Sequence, residues 1–181
     1  MSNLLTALAL YLSTVLSVIA PSVGQARRAS ISTDIATVVL SEERAFEGDV
    51  NGQKTALLLT AIADYETGHS WALWIDDGRC NDPGWRERNA EWIKVGGCDH
   101  AKAWGLWQVH APGDDLAIGK SYVTNRRRGI SAALFIARAS LRTGTGLCGY
   151  SGETYPNCVK ADHRLNKARE WEAKFPFAGA P

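Results

Sequence analysis

Residues 54–70 read KTALLLTAIADYETGHS, and this stretch decides the fold. Leu58, Leu59, Ile62, Tyr65 and Glu66 recur at helical spacing, and Gly68 supplies a stop, so a helix is predicted over 54–67. Glu66 comes four residues after Ile62 and eight after Leu58, which puts it on the apolar face of that helix. An unpaired charge on a buried face is costly, so the carboxyl is expected to shift toward its neutral form. The partial negative charge at a helix C-terminus pushes the same way. A carboxyl kept protonated near neutral pH is what a general acid needs. The plainer alternative is a helix-end glutamate that turns to water or pairs with a lysine or arginine.

Outward from this helix the body reads as mainly α. Residues 29–48 form a helical entry in which Ser32, Thr33 and Asp34 can cap and Ile35, Val38, Val39 and Phe46 are apolar. Residues 47–52, EGDVNG, read as a turn. From Ser70 to His100 the chain is loop-like, with Gly, Pro, Asp and Asn set among tryptophans. A short helical piece is expected after Ala103. A further helix is expected over 129–141, with Leu134, Ile136, Ala137 and Leu141 available for burial. The last, over 160–175, is amphipathic, with Leu165, Ala168, Trp171 and Phe175 on one face. Strand signals are weak, and no internal repeat is visible.

The chain has 181 residues, 45% hydrophobic and 22% charged, with a formal charge of +1. That length suits one domain with a real core. The apolar share is uneven. Residues 1–26 hold no charged side chain, and Leu4 to Ala20 is a nearly unbroken apolar run. Residues 1–28 contain two of the 20 basic residues and none of the 19 acidic ones, so residues 29–181 hold 18 against 19, formally −1. The expected organisation is therefore an apolar leader, 1–28, and a helical body, 29–181. The leader suits a signal peptide, a membrane anchor, a helix buried in a larger assembly such as a virus particle or secretion machine, or a helix packed on its own body. Arg27 and Arg28 follow the run rather than precede it, which by the positive-inside rule would hold the body in the cytoplasm. The near-neutral charge argues against a nucleic-acid partner.

Six of the seven tryptophans fall between Trp71 and Trp107. Indoles offer flat apolar faces for sugar rings and an N–H for hydroxyls. As a group they suggest a carbohydrate cleft; singly, each could equally fill a core. Cys80, Cys98, Cys148 and Cys158 make an even set without a C-x-x-C pair, so a zinc knuckle is disfavoured. Sequence order suggests Cys80–Cys98 and Cys148–Cys158, among three possible connectivities. Bridged cysteines would place the chain in an oxidising setting: periplasm, exterior or virion. His69, His100, His110 and His163 have no metal-site spacing, so no metal is expected. His69 and His110 flank the motifs below and are either substrate contacts or ordinary surface residues. Lys120 and the run 126–128, RRR, read as a solvated loop able to meet anionic polymers. There is no phosphate loop and no nucleophile elbow, and no cofactor is expected.

Three segments together carry a resemblance. AIADYETGHS (61–70), AWGLWQVH (103–110) and CGYSG (148–152) resemble, in order and approximate spacing, the motifs of the lysozyme-like superfamily, and more narrowly of the lytic transglycosylase catalytic domain. The resemblance spans roughly residues 54–175. It implies a lysozyme-like helical domain with a long aromatic active-site loop. It implies Glu66 as general acid and base, Gln108 with Trp107 beside it lining the cleft against a sugar, and Tyr150 bonding Glu66 or substrate. Thr67 stands where the family usually has Ser, and Ser151 where it usually has Asn, which alters a hydrogen bond to substrate. The implied partner is the peptidoglycan strand, cut at the β-1,4 bond between N-acetylmuramic acid and N-acetylglucosamine. One carboxyl suffices for a transglycosylase; a hydrolase needs a second, and Asp76, Asp77, Asp82 and Asp99 are available after Glu66, whereas Asp64 should point elsewhere. The rival expectation is a structural component of a virion or secretion machine with weak local activity.

Overall fold

The computed structural model describes residues 2–71 and 83–177. Its main described elements are α1 (Ser2–Ile19), α2 (Gln25–Ser41), α3 (Gln53–Glu66), α4 (Pro83–Arg88) and α5 (Ala90–Lys94), then the strands β1 (Ala103–Trp104) and β2 (Val109–His110), then α6 (Leu116–Thr124), α7 (Arg126–Arg142), α8 (Cys148–Ser151) and α9 (Val159–Lys174), with short helical turns at Cys98–Ala101 and Pro112–Asp114. The fold is mainly helical. Its described sheet is one two-stranded antiparallel ribbon, with Ala103 opposite His110 and Trp104 opposite Val109. The expected helix after Ala103 is thus a hairpin first, and only from Leu116 a helix, capped by the Asp115 carboxylate on the Ala117 and Ile118 amides at 2.8 and 2.9 Å.

Helix α3 is the centre. Every residue from Thr55 to Asp64 is buried. A helix buried on all sides has no wet face. Its apolar face alone does not set Glu66 apart; its place at the helix end, where the side chain is part-exposed, does. Both ends are closed by specific bonds. Asp49, in the predicted turn, accepts from the Thr55 amide at 2.8 Å and the Lys54 amide at 3.3 Å. At the other end Gly68 donates to the Tyr65 carbonyl and His69 to that of Asp64, with Gly68 at φ 58°. That is a Schellman closure, and it makes Glu66 the last helical residue.

The core around α3 includes α1. Leu8, Leu12, Val15 and Leu16, spaced along one stripe, are buried in the same cluster as Ile31 and Ile35 of α2 and Leu57 and Leu58 of α3. Tyr11 donates to the Phe175 carbonyl at 2.7 Å and lies 5.0 Å from the Phe177 ring, joining the two ends of the chain. Of the roles open to residues 1–28, packing on the body is the one this arrangement displays, and residue 28 falls inside α2. Among the described residues no helix is long and apolar enough to cross a membrane.

Two further expectations are corrected. Ser32, Thr33 and Asp34 do not cap; α2 begins earlier and Ser32 is buried within it. The Arg126–Arg128 run is no solvated loop. It is the first turn of α7, where Arg126 and Arg127 each pair with Asp34 at 2.8 Å. On α9 the expected Ala168 and Trp171 are buried and Leu165 and Phe175 pack partly buried against the core, and the buried stripe also takes in Ala161 and Arg164. Leu12→Ala should lower stability by about 2–5 kcal/mol, read from the midpoint of urea unfolding at unchanged slope. A change below about 0.5 kcal/mol would contradict the packing of α1.

Candidate active site

The closure of α3 delivers Glu66 to a cleft of about 690 Å³. Three distant segments meet there. Glu66, Thr67 and Gly68 come from the end of α3, Gln108 and His110 from the hairpin, and Tyr150 and Ser151 from α8. Helix α9 supplies Lys160 and Arg164. The Cys148–Cys158 disulfide, expected from the sequence, ties α8 to the start of α9 and so fixes two sides of the cleft. The other expected pair includes Cys80, which lies outside the described residues.

The Glu66 side chain is 19% exposed and its Oε1 accepts from Arg164 Nη2. Burial holds its carboxyl above the ordinary glutamate value; Arg164, as ion-pair and hydrogen-bond partner, and Lys160 pull it down, and Asp99 pushes it up. Burial prevails. The group is therefore poised between opposing influences and can both release and regain a proton. Arg164 is 3% exposed and stacks 4.2 Å from the centroid of the Tyr65 ring. Its Nε and Nη1 are buried without a partner.

Tyr150 lines the cleft with a half-buried ring, while its hydroxyl points inward and donates to the Trp107 carbonyl at 2.6 Å. Burial first, and then the Glu66 charge, push its phenol well above the usual range, so it stays a donor. The bond to Glu66 named as one option by the resemblance is replaced by this one. Gln108 adopts φ 47° and donates from Nε2 to the Gly105 carbonyl at 2.8 Å, with its side chain at the cleft wall. Ser151 donates to Glu153 at 2.6 Å, and Glu153 in turn accepts the Lys160 and Ala161 amides at 2.9 Å. The serine at this position thus helps cap α9 at the cleft's edge.

Two expected contacts fall elsewhere. Trp107 is 2% exposed and donates to the Leu59 carbonyl at 2.9 Å, so it is a core residue beneath the cleft. His69 is exposed outside the cleft lining, bound through Nδ1 to Asp64 at 2.6 Å. Asp64, as expected, points away: it also accepts from Trp71 Nε1 at 2.7 Å. Trp71 and Trp104 are buried as well. Trp74 lies outside the described residues. Among the described residues Trp92 is the indole that lines the cleft, exposed and braced edge-on by Trp85 at 5.6 Å. Gly97 is required there, because a side chain would run into the Trp92 ring. Asp99 and His110 also line the cleft and pair at 2.5 Å.

The sequence points to Trp92 only as one of six clustered tryptophans, and Arg164 and Lys160 were missed. A signal for Arg164 existed: residues 161, 164, 168 and 171 fall on one helical stripe, and a charge on an apolar stripe needs a partner. Asp76, Asp77 and Asp82 lie outside the described residues. No family model, curated protein or solved structure matches the chain.

Because Arg164 lowers and burial raises the Glu66 carboxyl, its titration midpoint should lie above 4.5, the usual value, and rise further in Arg164→Gln. Carboxyl-carbon NMR titration reads both. A midpoint below 4.5 in the native chain would contradict the balance described.

Proposed function

We propose that this chain cleaves the glycan strands of peptidoglycan at the N-acetylmuramic acid-β-1,4-N-acetylglucosamine bond as a lytic transglycosylase, in a lysozyme-like domain. The observation that carries the reading is a part-buried carboxyl, Glu66, held at the end of a buried helix with its proton affinity raised, in a cleft also lined by Gln108 and Tyr150. The three motifs that carry the resemblance are far apart in sequence and meet at this one cleft. Trp92 offers a face for a sugar ring.

The chemistry follows from one acid. Protonated Glu66 gives its proton to the glycosidic oxygen as the anomeric C–O bond breaks. The sugar's own N-acetyl group stabilises the positive charge that develops at the anomeric carbon. The 6-hydroxyl of the same sugar then bonds that carbon and returns its proton to Glu66, leaving a 1,6-anhydro end and consuming no water. Arg164 assists the second half-step by holding the carboxylate in place to accept.

Asp99 supports a second reading, hydrolysis, because it too lines the cleft and could position a water. Its pairing with His110 engages the carboxylate, so we rank this second. The Cys148–Cys158 disulfide supports an oxidising setting, periplasmic, extracellular or on a virion. Leu10 and Val18, exposed on α1, are available to a membrane or particle contact if the chain works as part of an assembly.

Glu66→Gln should slow clearing of a cell-wall suspension by about a hundredfold or more, with the fold retained by circular dichroism. Asp99→Asn should leave clearing within about tenfold of the native rate if water positioning is not required. Full activity in Glu66→Gln would overturn the assignment, and loss in a folded Asp99→Asn would favour hydrolysis.

A further inference from the structure

Lys160 and Arg164 stand one helical turn apart on α9, and both line the cleft. Most charged groups there are already engaged. Glu66 pairs with Arg164 and Asp99 with His110. Lys160 differs. Its side chain is exposed, and among the described residues its ammonium makes no hydrogen bond or ion pair. The nearby Glu153 carboxylate is committed to the Ser151 hydroxyl and to two backbone amides of α9. Behind Lys160, Arg164 is 97% removed from solvent and still has two guanidinium nitrogens without a partner. A buried guanidinium satisfied at one nitrogen of three keeps positive charge behind Lys160 without itself being open to a ligand. The cleft is open at its α8 edge, where a side chain added at Gly152 would meet nothing within 4 Å.

We propose that Lys160, backed by Arg164, forms a subsite for a carboxylate carried by the glycan substrate. The inference rests on the glycan-cleaving reading above and specifies its substrate class: strands bearing an anionic group close to the scissile bond. Two sources share that chemistry, the lactyl carboxylate of N-acetylmuramic acid once its peptide has been removed, and the carboxylates of an attached peptide stem. If the lactyl group is the ligand, the substrate is supplied by a preceding amide hydrolysis that frees it. The subsite acts on recognition; Glu66 remains the proton donor.

The test uses the full chain and three glycan strands: stripped of peptide with free lactyl carboxylates, the same strands with those carboxylates converted to methylamides, and strands that retain their stems. The native chain should cleave at least one anionic strand about fivefold faster than the methylamide. The ratio should fall toward one in Lys160→Ala, persist in Lys160→Arg, and shrink as salt is raised. Which anionic strand is preferred identifies the source of the carboxylate. Equal or reversed rates in the native chain, or a ratio unchanged in Lys160→Ala, overturn the subsite and leave the glycan-cleaving reading standing. Cleavage of none of the three overturns both.

Discussion

The Glu66 carboxylate and the Arg164 guanidinium meet where α3 ends against α9, and the cleft is organised around that meeting. Neither group could sit there alone. An isolated charge at this depth would neutralise or pull the helix ends toward water. Together they are tolerable, although a buried pair of this kind adds little net stability because desolvation offsets the attraction. Its consequence is positional. With α3 buried along its length and closed by Gly68, and with Arg164 stacked on Tyr65, the carboxyl has one place to be.

The remaining elements brace this pair. The disulfide holds α8 to the start of α9, so Tyr150 and Lys160 keep their distance from Glu66. Tyr150 is locked to the hairpin through the Trp107 carbonyl, and Trp107 is locked to α3 through Leu59. A chain of hydrogen bonds therefore runs from α8 through the hairpin to the central helix. Helix α1 packs onto the same core, so the apolar residues that look like a leader also contribute to the scaffold beneath the site.

Much of this was legible in the sequence, and the reasons are specific. The end of α3 was readable because Gly68 provides a left-handed closing residue after an apolar run. The meeting of residues 66, 108 and 150 was readable through motif order. Three things were not. The tryptophans look alike in sequence, but an indole's role depends on what covers it: Trp107 and Trp71 are roofed over and Trp92 is open. The arginine run looks solvated until Asp34 of α2 is brought beside it. Arg164 was hidden because the face of α9 was traced through its apolar residues, and a charged residue on the same buried stripe as Ala168 and Trp171 was passed over. Long-range partners decided each case.

The body of the chain is nearly balanced in charge, so attraction to the proposed glycan substrate rests on the cleft itself. Lys160 on α9 offers it positive charge and Trp92 a stacking face. The proposed reaction uses one carboxyl and no water, and mass analysis of fragments released from purified peptidoglycan separates it from hydrolysis. Cleavage by Glu66 alone leaves products ending in 1,6-anhydro-N-acetylmuramic acid, each lighter by one water than the hydrolysed fragment. Fragments with an ordinary reducing end, incorporating the oxygen of labelled water, would rule that reaction out.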